Sequence, residues 1–528
     1  MGARYASGMR GAVAAGHTLT AEAGADVLRQ GGNAVDACIA AAAMSWVVES
    51  PLTGPGAAGF LLVRASSTGM VRLHDFFAAI PGDGLDRPLG EMEEVDVEFD
   101  RDTSQIFRIG AASIAVPGAI AGLEAAHRAY ARLPWRRLLE PAIAVARRGV
   151  ELNRTQAYLH AILDQILRHT NTGREIYGPA GSRLVHRDRL VMPDLADSLE
   201  QLADEGAAAF HGGELGRRVC EHVLAEGGNL TERDLAGYRV ISRRPIRVAF
   251  DEHEFVSNPP PSSGGVLIAY GLLLLSRLGA GGPAGSAEAI ARLAEVMREQ
   301  TRARGGSFTS DLHRGGLASR LFADAESGVE RIKAEEAGRY EPVGAPGTTH
   351  ISVVDAAGNA ASLTASTGSG SGVIVPGTGI HLNNMLGEYD LNPVTRAGRR
   401  AAVGRRLTSM MAPSLVLDGG RPRLVVGSAG SVRLRGAILQ IVLNVAKHGM
   451  DVGSAIAQPR VHLEVPYVHC EGGSDPAELD RLERWGYELV RWRRRNLYFG
   501  GAAAVEMRAD GSLDAAGDPR RDGHGIVV

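Results

Sequence analysis

The chain has 528 residues, 45% of them hydrophobic and 22% charged, with a formal net charge of −3. These values suit a globular protein with a large buried core and argue against a disordered or fibrous chain. They give no electrostatic footprint for nucleic acid or an anionic membrane, so the expected partner is a small molecule.

Met1 to Gly24 is polar and rich in glycine and alanine, without a charged start leading into a continuous apolar run. No secretory signal is expected, and the expected location is cytoplasmic. Thr18 to Gln30 has helical spacing and stops at Gly31-Gly32; Asn33 to Val48 resumes as an alanine-rich buried helix. The loop Thr53 to Gly59 leads into a strand from Phe60 to Arg64 and a second near Val71 to Phe76. Between Ala119 and Leu224 helices dominate, with Arg136, Arg137, Arg147 and Arg148 on solvated or ion-paired faces. Asn258 to Gly265 reads as a rigid turn before an apolar helix. The runs Cys38 to Val48 and Val266 to Leu275 are too short to cross a bilayer. Glu326 to Val343 is polar and charged and reads as a flexible tail. After it, Ile351 to Val354, the turn Ala357-Gly358-Asn359 and the alternation Ala361, Leu363, Ala365 predict a β-hairpin, with Thr348 at its exposed start. Gly427 to Ser431 reads as a strand-to-helix turn before a helix over Val432 to Val445.

Six strings carry a resemblance: GGNAVDA from Gly31, NPPPSSGG from Asn258, GTTHISVVD from Gly347, GIHLNN from Gly379, RLTSM from Arg406 and VGSAGS from Val426. In this order and spacing the chain resembles the γ-glutamyltranspeptidases, members of the N-terminal nucleophile hydrolase superfamily. The resemblance implies an α+β fold, the four-layered αββα sandwich. It also implies that the chain cuts itself between Gly347 and Thr348, giving a large subunit 1–347 and a small subunit 348–528 that together form one αββα unit. The expected assembly is a heterodimer of those two fragments, with a higher oligomer left open. The chemistry has a physical basis. A threonine hydroxyl needs a base, and a chain-terminal α-amine, titrating near roughly 8, supplies one that an internal threonine lacks.

The resemblance places roles on particular residues. Thr348 attacks a substrate carbonyl and carries the acyl group until water or an acceptor amine removes it. Ser366 matches a family threonine that supports the nucleophile; read alone, it is equally a loop serine in the run Ser366 to Gly372. The amides of Gly430 and Ser431 match the oxyanion loop, with Ser431 standing where the family usually has a second glycine. Asn383, Glu388, Thr408 and Ser409 match the substrate-binding positions.

Four departures concern recognition, two of them at Met385, which follows Asn383-Asn384 where the family usually has an acidic or amide residue, and at Thr408, a mild change from serine. The family's Asp-Phe-Arg triplet is here Asp75-Phe76-Phe77, and Phe77 cannot pair with a substrate α-carboxylate. The asparagine expected two residues beyond Ser366 is Gly368. Either another arginine substitutes, from Arg396, Arg399, Arg400, Arg405 and Arg406 or from Arg493 to Arg495, or Phe77 and Met385 line a more apolar pocket for another amide. Most of those arginines are expected to be solvated loop charges.

Other classes fit less well. Lys333 and Lys447 are the only lysines among 57 basic side chains, which weakens mechanisms built on a particular lysine. No Gly-x-Ser-x-Gly elbow occurs. The 16 histidines form no metal-binding motif, and His350 and His381 read as packed strand residues. Cys38, Cys220 and Cys470 are too far apart for a disulfide framework or a zinc pattern and read as reduced thiols. No cofactor and no metal are implied. The expected function is a self-processing threonine amidohydrolase or acyltransferase acting on γ-glutamyl or related amides, with hydrolysis favoured over transfer. The alternatives are an acylase for a non-γ-glutamyl amide and a non-catalytic binding module.

Overall fold

A computed structural model of the protein describes residues 10–86, 90–100, 103–334, 347–389, 392 and 402–528. The first two helices show why the fold starts where it does. Helix Thr18–Arg29 is followed by Gly31-Gly32, and Asn33 then caps helix Ala34–Val48 in a capping box closed by Asp36. That box satisfies amide donors at the helix start which burial would otherwise leave unpaired. All residues of Ala34–Val48 are buried, as an almost wholly apolar helix requires.

Two antiparallel sheets form the centre. The seven-stranded sheet runs His524–Val527, Gly11–Ala15, Thr349–Asp355, Ala360–Ser366, Ala58–Arg64, Val71–Phe76, Ile241–Arg243. The six-stranded sheet runs Leu513–Gly517, Gly501–Met507, Arg421–Ala429, Ser414–Asp418, His253–Ser257, Ile246–Phe250. Side chains alternate between faces with the period of two that strands impose. Ala12, Ala14, Phe60, Leu62 and Val354 meet Val256, Leu415, Val425 and Val505 between the sheets. Val13, Ala15, Leu61, Ile351 and Val353 face outward onto the alanine-rich helices. Phe250, Val416, Leu424, Val426 and Ala504 face outward onto helices Gly264–Leu278, Ala287–Ala303 and Leu434–Ala446. The result is helix, sheet, sheet, helix, the expected αββα sandwich.

The predicted hairpin is present: Thr349–Asp355 pairs antiparallel with Ala360–Ser366. One expectation is corrected. Glu326 to Lys333 is not a tail but belongs to helix Ala325–Lys333, held by Arg331 against Glu299 at 2.6 Å and Asp324 at 2.8 Å. Residues 335–343 of that stretch, like Arg396, Arg399 and Arg400, lie outside the described residues. Cys38, Cys220 and Cys470 are free and buried.

Candidate active site

Thr348 stands one residue before the central strand Thr349–Asp355 and is only 5% exposed, so it is buried rather than exposed as expected. Its Oγ1 donates to the Gly347 carbonyl oxygen at 2.7 Å. Ser366, opposite it on the next strand, donates a short hydrogen bond to that same oxygen and accepts from the Gly368 amide at 2.7 Å. Two hydroxyls therefore converge on one backbone carbonyl. Hydrogen bonds to that oxygen polarise it, and Thr348 Oγ1 belongs to the residue on the other side of the same peptide bond. Gly347 has φ +142 and packs so closely on the Gly368 carbonyl that a side chain at 347 would collide with it. Only glycine fits both demands.

The oxyanion candidates lie at the same end of the sandwich. His350 is buried between the sheets, joined to Thr364 Oγ1 at 2.8 Å and Ser352 Oγ at 2.9 Å, and its ring lies where a side chain on Gly427 would be. Burial pushes its pKa down to about 3, so it is a neutral strut. From Gly427 the facing strand runs two residues to Ala429 and then into Gly430 (φ +118) and Ser431 (φ +51). Ala429 pairs with Gly501, which packs on the Arg521 side chain, and Arg521 Nη1 donates to the Thr348 carbonyl at 2.7 Å. This chain of contacts ties the Gly430–Ser431 turn to Thr348, although no hydrogen bond joins that turn to Gly347 or Thr348 in the uncut chain. The turn leads through Arg433 into helix Leu434–Ala446, slightly later than the predicted start.

The substrate-side residues fall into two groups. Asn384 Oδ1 accepts from the Ser369 amide at 2.9 Å, and a side chain on Gly368 would meet Asn384 Oδ1 and come within 3.5 Å of Glu388 Oε1. Glu388 therefore lies beside Gly368, two residues on from Ser366. Asn383 is employed otherwise: its Oδ1 accepts from the Ala115 and Met385 amides and its Nδ2 donates to the Gly56 and Ala115 carbonyls. Its amide is saturated by backbone and is a strut for the loop rather than an open contact.

The second group gathers around Phe77. The Leu407 amide donates to the Ala78 carbonyl at 2.9 Å, which lays Thr408 and Ser409 alongside the segment after Phe77. The Ser409 carbonyl accepts from the Ser263 amide at 2.7 Å and from Ser262 Oγ at 3.1 Å, and Thr408 Oγ1 meets His313 Nε2 at 3.3 Å. Sequence reasoning had not singled out His313, because a lone histidine on a charged helix carries no signal. Ser366 pairs with Ala58, and the register of the next pair continues to Phe77. Phe77 thus lies in the row of Thr348, three strands away, or about 14 Å at the usual strand spacing.

Phe77 is 1% exposed and stacks on Phe60 with centroids 5.2 Å apart. It and Met385 belong to the core between the sheets, which corrects the expectation of an open apolar pocket wall. None of the candidate arginines that are described takes the missing position. Arg405 is exposed; Arg406, expected to be solvated, is buried over the Tyr238 ring and beside Asp75, whose Oδ2 also accepts from Arg243 at 2.7 Å. Arg493 to Arg495 are exposed. Among the described residues no group of three or more His, Cys, Asp or Glu could hold a metal ion.

The sequence profile of the family described as Gamma-glutamyltranspeptidase matches residues 20–528. The chain is 32% identical to the "Acylase ACY 1 proenzyme" of Pseudomonas sp. (strain SE83), over 99% of this chain and 94% of that protein. It is 29% identical to the "Glutathione hydrolase proenzyme" of Escherichia coli (strain K12), over 97% of this chain and 90% of that protein. Among solved structures, the cephalosporin acylase from Bacillus halodurans superposes with a TM-score of 0.83 at 24% identity, covering 100% of this chain and 97% of that one.

Proposed function

The chain belongs to the gamma-glutamyltranspeptidase family of hydrolases and related acylases, and within it we propose that Thr348 is the nucleophile, freed by self-cleavage after Gly347 and working on a simple acyl amide. The convergence of Thr348 Oγ1 and Ser366 Oγ on the Gly347 carbonyl oxygen carries this reading. In the uncut chain that geometry suits an N-to-O acyl shift: Oγ1 attacks the Gly347 carbonyl carbon, the peptide nitrogen leaves as an amine after taking up the hydroxyl proton, and water hydrolyses the resulting ester. The freed α-amine then serves as base for the same hydroxyl in each turnover. Gly430 and Ser431 are the proposed oxyanion donors, and the two fragments, 1–347 and 348–528, form the working heterodimer. The substrate is a small amide, the acyl group passes to water in preference to an amine acceptor, and Asn383 shapes the loop that presents Glu388.

The absence of an arginine at position 77 supports an acyl group that is not a free γ-glutamyl unit. The row from Thr348 over Ala58 ends in a stacked phenyl pair where a guanidinium would be needed to hold an α-carboxylate. Similarity to the Pseudomonas acylase points the same way.

Intact mass and N-terminal sequencing of wild type beside Thr348→Ala test the first half; a fragment beginning Thr348-Thr349-His350 is expected in wild type alone. For the second half, kcat/KM on aliphatic and aromatic acyl p-nitroanilides is expected to exceed that on γ-glutamyl-p-nitroanilide by at least tenfold. Equal or better turnover of the γ-glutamyl compound would sink it.

A further inference from the structure

Two fully buried ionisable side chains flank the start of the nucleophile strand, and the proposed acyl transfer uses neither. Arg521 donates through Nη1 to the Thr348 carbonyl at 2.7 Å, while its Nε and Nη2 are buried with no hydrogen-bond partner. On the helix side of the same strand Glu49, the residue capping helix Ala34–Val48, accepts from Thr349 Oγ1 and Thr20 Oγ1, each at 2.8 Å. Glycines make room for both: a side chain on Gly501 would strike the Arg521 stem, and one on Gly16 would strike the Glu49 carboxylate. Burying a charge is costly, so a chain that reserves two such spaces beside one residue is using the field they create.

We infer that Arg521 and Glu49 are positioning residues that set the protonation of the Thr348 α-amine in opposite directions, Arg521 favouring the neutral base and Glu49 the ammonium. This inference rests on the reading of Thr348 as a freed nucleophile. Arg521 Nη1 touches the Thr348 carbonyl oxygen, and a residue's own nitrogen and oxygen lie at most about 3.6 Å apart, so the guanidinium is within about 6 Å of the amine. Glu49 bonds the neighbouring Thr349 side chain, whereas Arg521 bonds Thr348 itself. The directly bonded cation is expected to dominate, lowering the amine from roughly 8 by about one unit, towards neutral pH where a base is most useful. Burial pushes Arg521 itself down to about 10, so it keeps its charge throughout that range, and Glu49 offsets part of that fall. Burial raises Glu49, opposed by its bonds to Thr349 and Thr20 and by Arg521. The other charged or titratable groups facing this place are Glu388 beside Gly368, the neutral His350 on the same strand, and Asp518 and Arg433 beside Arg521.

The test is the acidic limb of kcat/KM against pH for mature wild type, Arg521→Met, Arg521→Lys and Glu49→Gln. Whatever the height of each plateau, Arg521→Met is expected to move the limb up by about one unit and Glu49→Gln to move it down by about half a unit. Arg521→Lys is expected to stay close to wild type. A merely structural pair would move neither limb, or both the same way, and either result overturns the inference. Should Arg521→Met fail to fold or to self-cleave, Glu49→Gln decides alone, since a limb unmoved or moved upward is equally fatal. If wild type is not cut before Thr348, the nucleophile reading fails and takes this inference with it. If wild type is cut and the limbs do not separate, only the inference fails.

Discussion

Ser431 holds φ +51, where its Cβ crowds the backbone, directly after Gly430 at φ +118. A serine in that region costs about 1 to 2 kcal/mol, and a β-branched residue costs more. Its Oγ is buried without a partner, so the side chain returns nothing for the strain. Ser431→Val is therefore expected to lose about 2 kcal/mol in denaturant unfolding and most of the activity, whereas Ser431→Gly stays within about 1 kcal/mol of wild type. A valine variant as stable as wild type would show that the turn is not strained. His160 is one of several buried histidines that contribute to the acid behaviour. His160 is buried edge-on to Tyr177 with both ring nitrogens unpartnered, and burial lowers its pKa from 6.5 to about 4. The unfolded chain binds the proton first, so stability is full above about 6.5 and falls as pH drops towards 4. His160→Phe removes that uptake without breaking a hydrogen bond. It is expected to recover up to about 3 kcal/mol at pH 4 relative to the wild-type loss from pH 7, measured by unfolding at both pH values. Thr348 and the Gly430–Ser431 turn were legible as candidates because each sits in a short string, and Ser366 by its match to a family threonine. Glu49 and Arg521 were not, because they meet Thr349 and Thr348 across sequence separations of 300 and 173 and carry no local pattern.

The strand Val71–Phe76 was legible from its alternation, yet the role of Phe77, the next residue, was not. Phe77 reads as a pocket wall because it stands where the family has a substrate-binding arginine; only the sheet register shows it stacked on Phe60 in the inter-sheet core. The same register shows why an arginine cannot simply be restored. Asp75 is fully buried, with Arg243 at 2.7 Å, Arg406 at 3.4 Å and the Phe77 amide at 2.9 Å. A third guanidinium would enter a site whose one carboxylate is already shared. Phe77→Arg is expected to unfold about 3 to 5 kcal/mol more easily and to gain no γ-glutamyl hydrolysis. A stable variant with new activity on γ-glutamyl-p-nitroanilide would show that the acyl site has room and anion affinity that the uncut chain hides. Helix Ala325–Lys333 was missed for a related reason. Its charges hid a narrow apolar stripe of Ala325, Gly328 and Val329, and its Arg331 is held by Glu299 of another helix, a partner that composition cannot reveal.

Across the whole molecule the proposed cut divides the sequence but not the fold. In the seven-stranded sheet, Gly11–Ala15 from the first fragment is hydrogen bonded on one side to His524–Val527 and on the other to Thr349–Asp355, both from the second. Ala360–Ser366 then pairs with Ala58–Arg64, crossing back to the first. In the six-stranded sheet His253–Ser257 of the first fragment pairs with Ser414–Asp418 of the second. Separating the fragments would break four strand ladders and expose the core between the sheets, so they have no independent folded state to dissociate into. After cleavage, denaturing gels are expected to show two bands while gel filtration in native buffer shows them co-eluting at every protein concentration tried. Residues 348–528 expressed alone are expected to be insoluble, since their two central strands would lack the partners on either side. Fragments that resolve on the native column, or a soluble and cooperatively unfolding 348–528, would mean that the interleaved ladders contribute far less than their number implies.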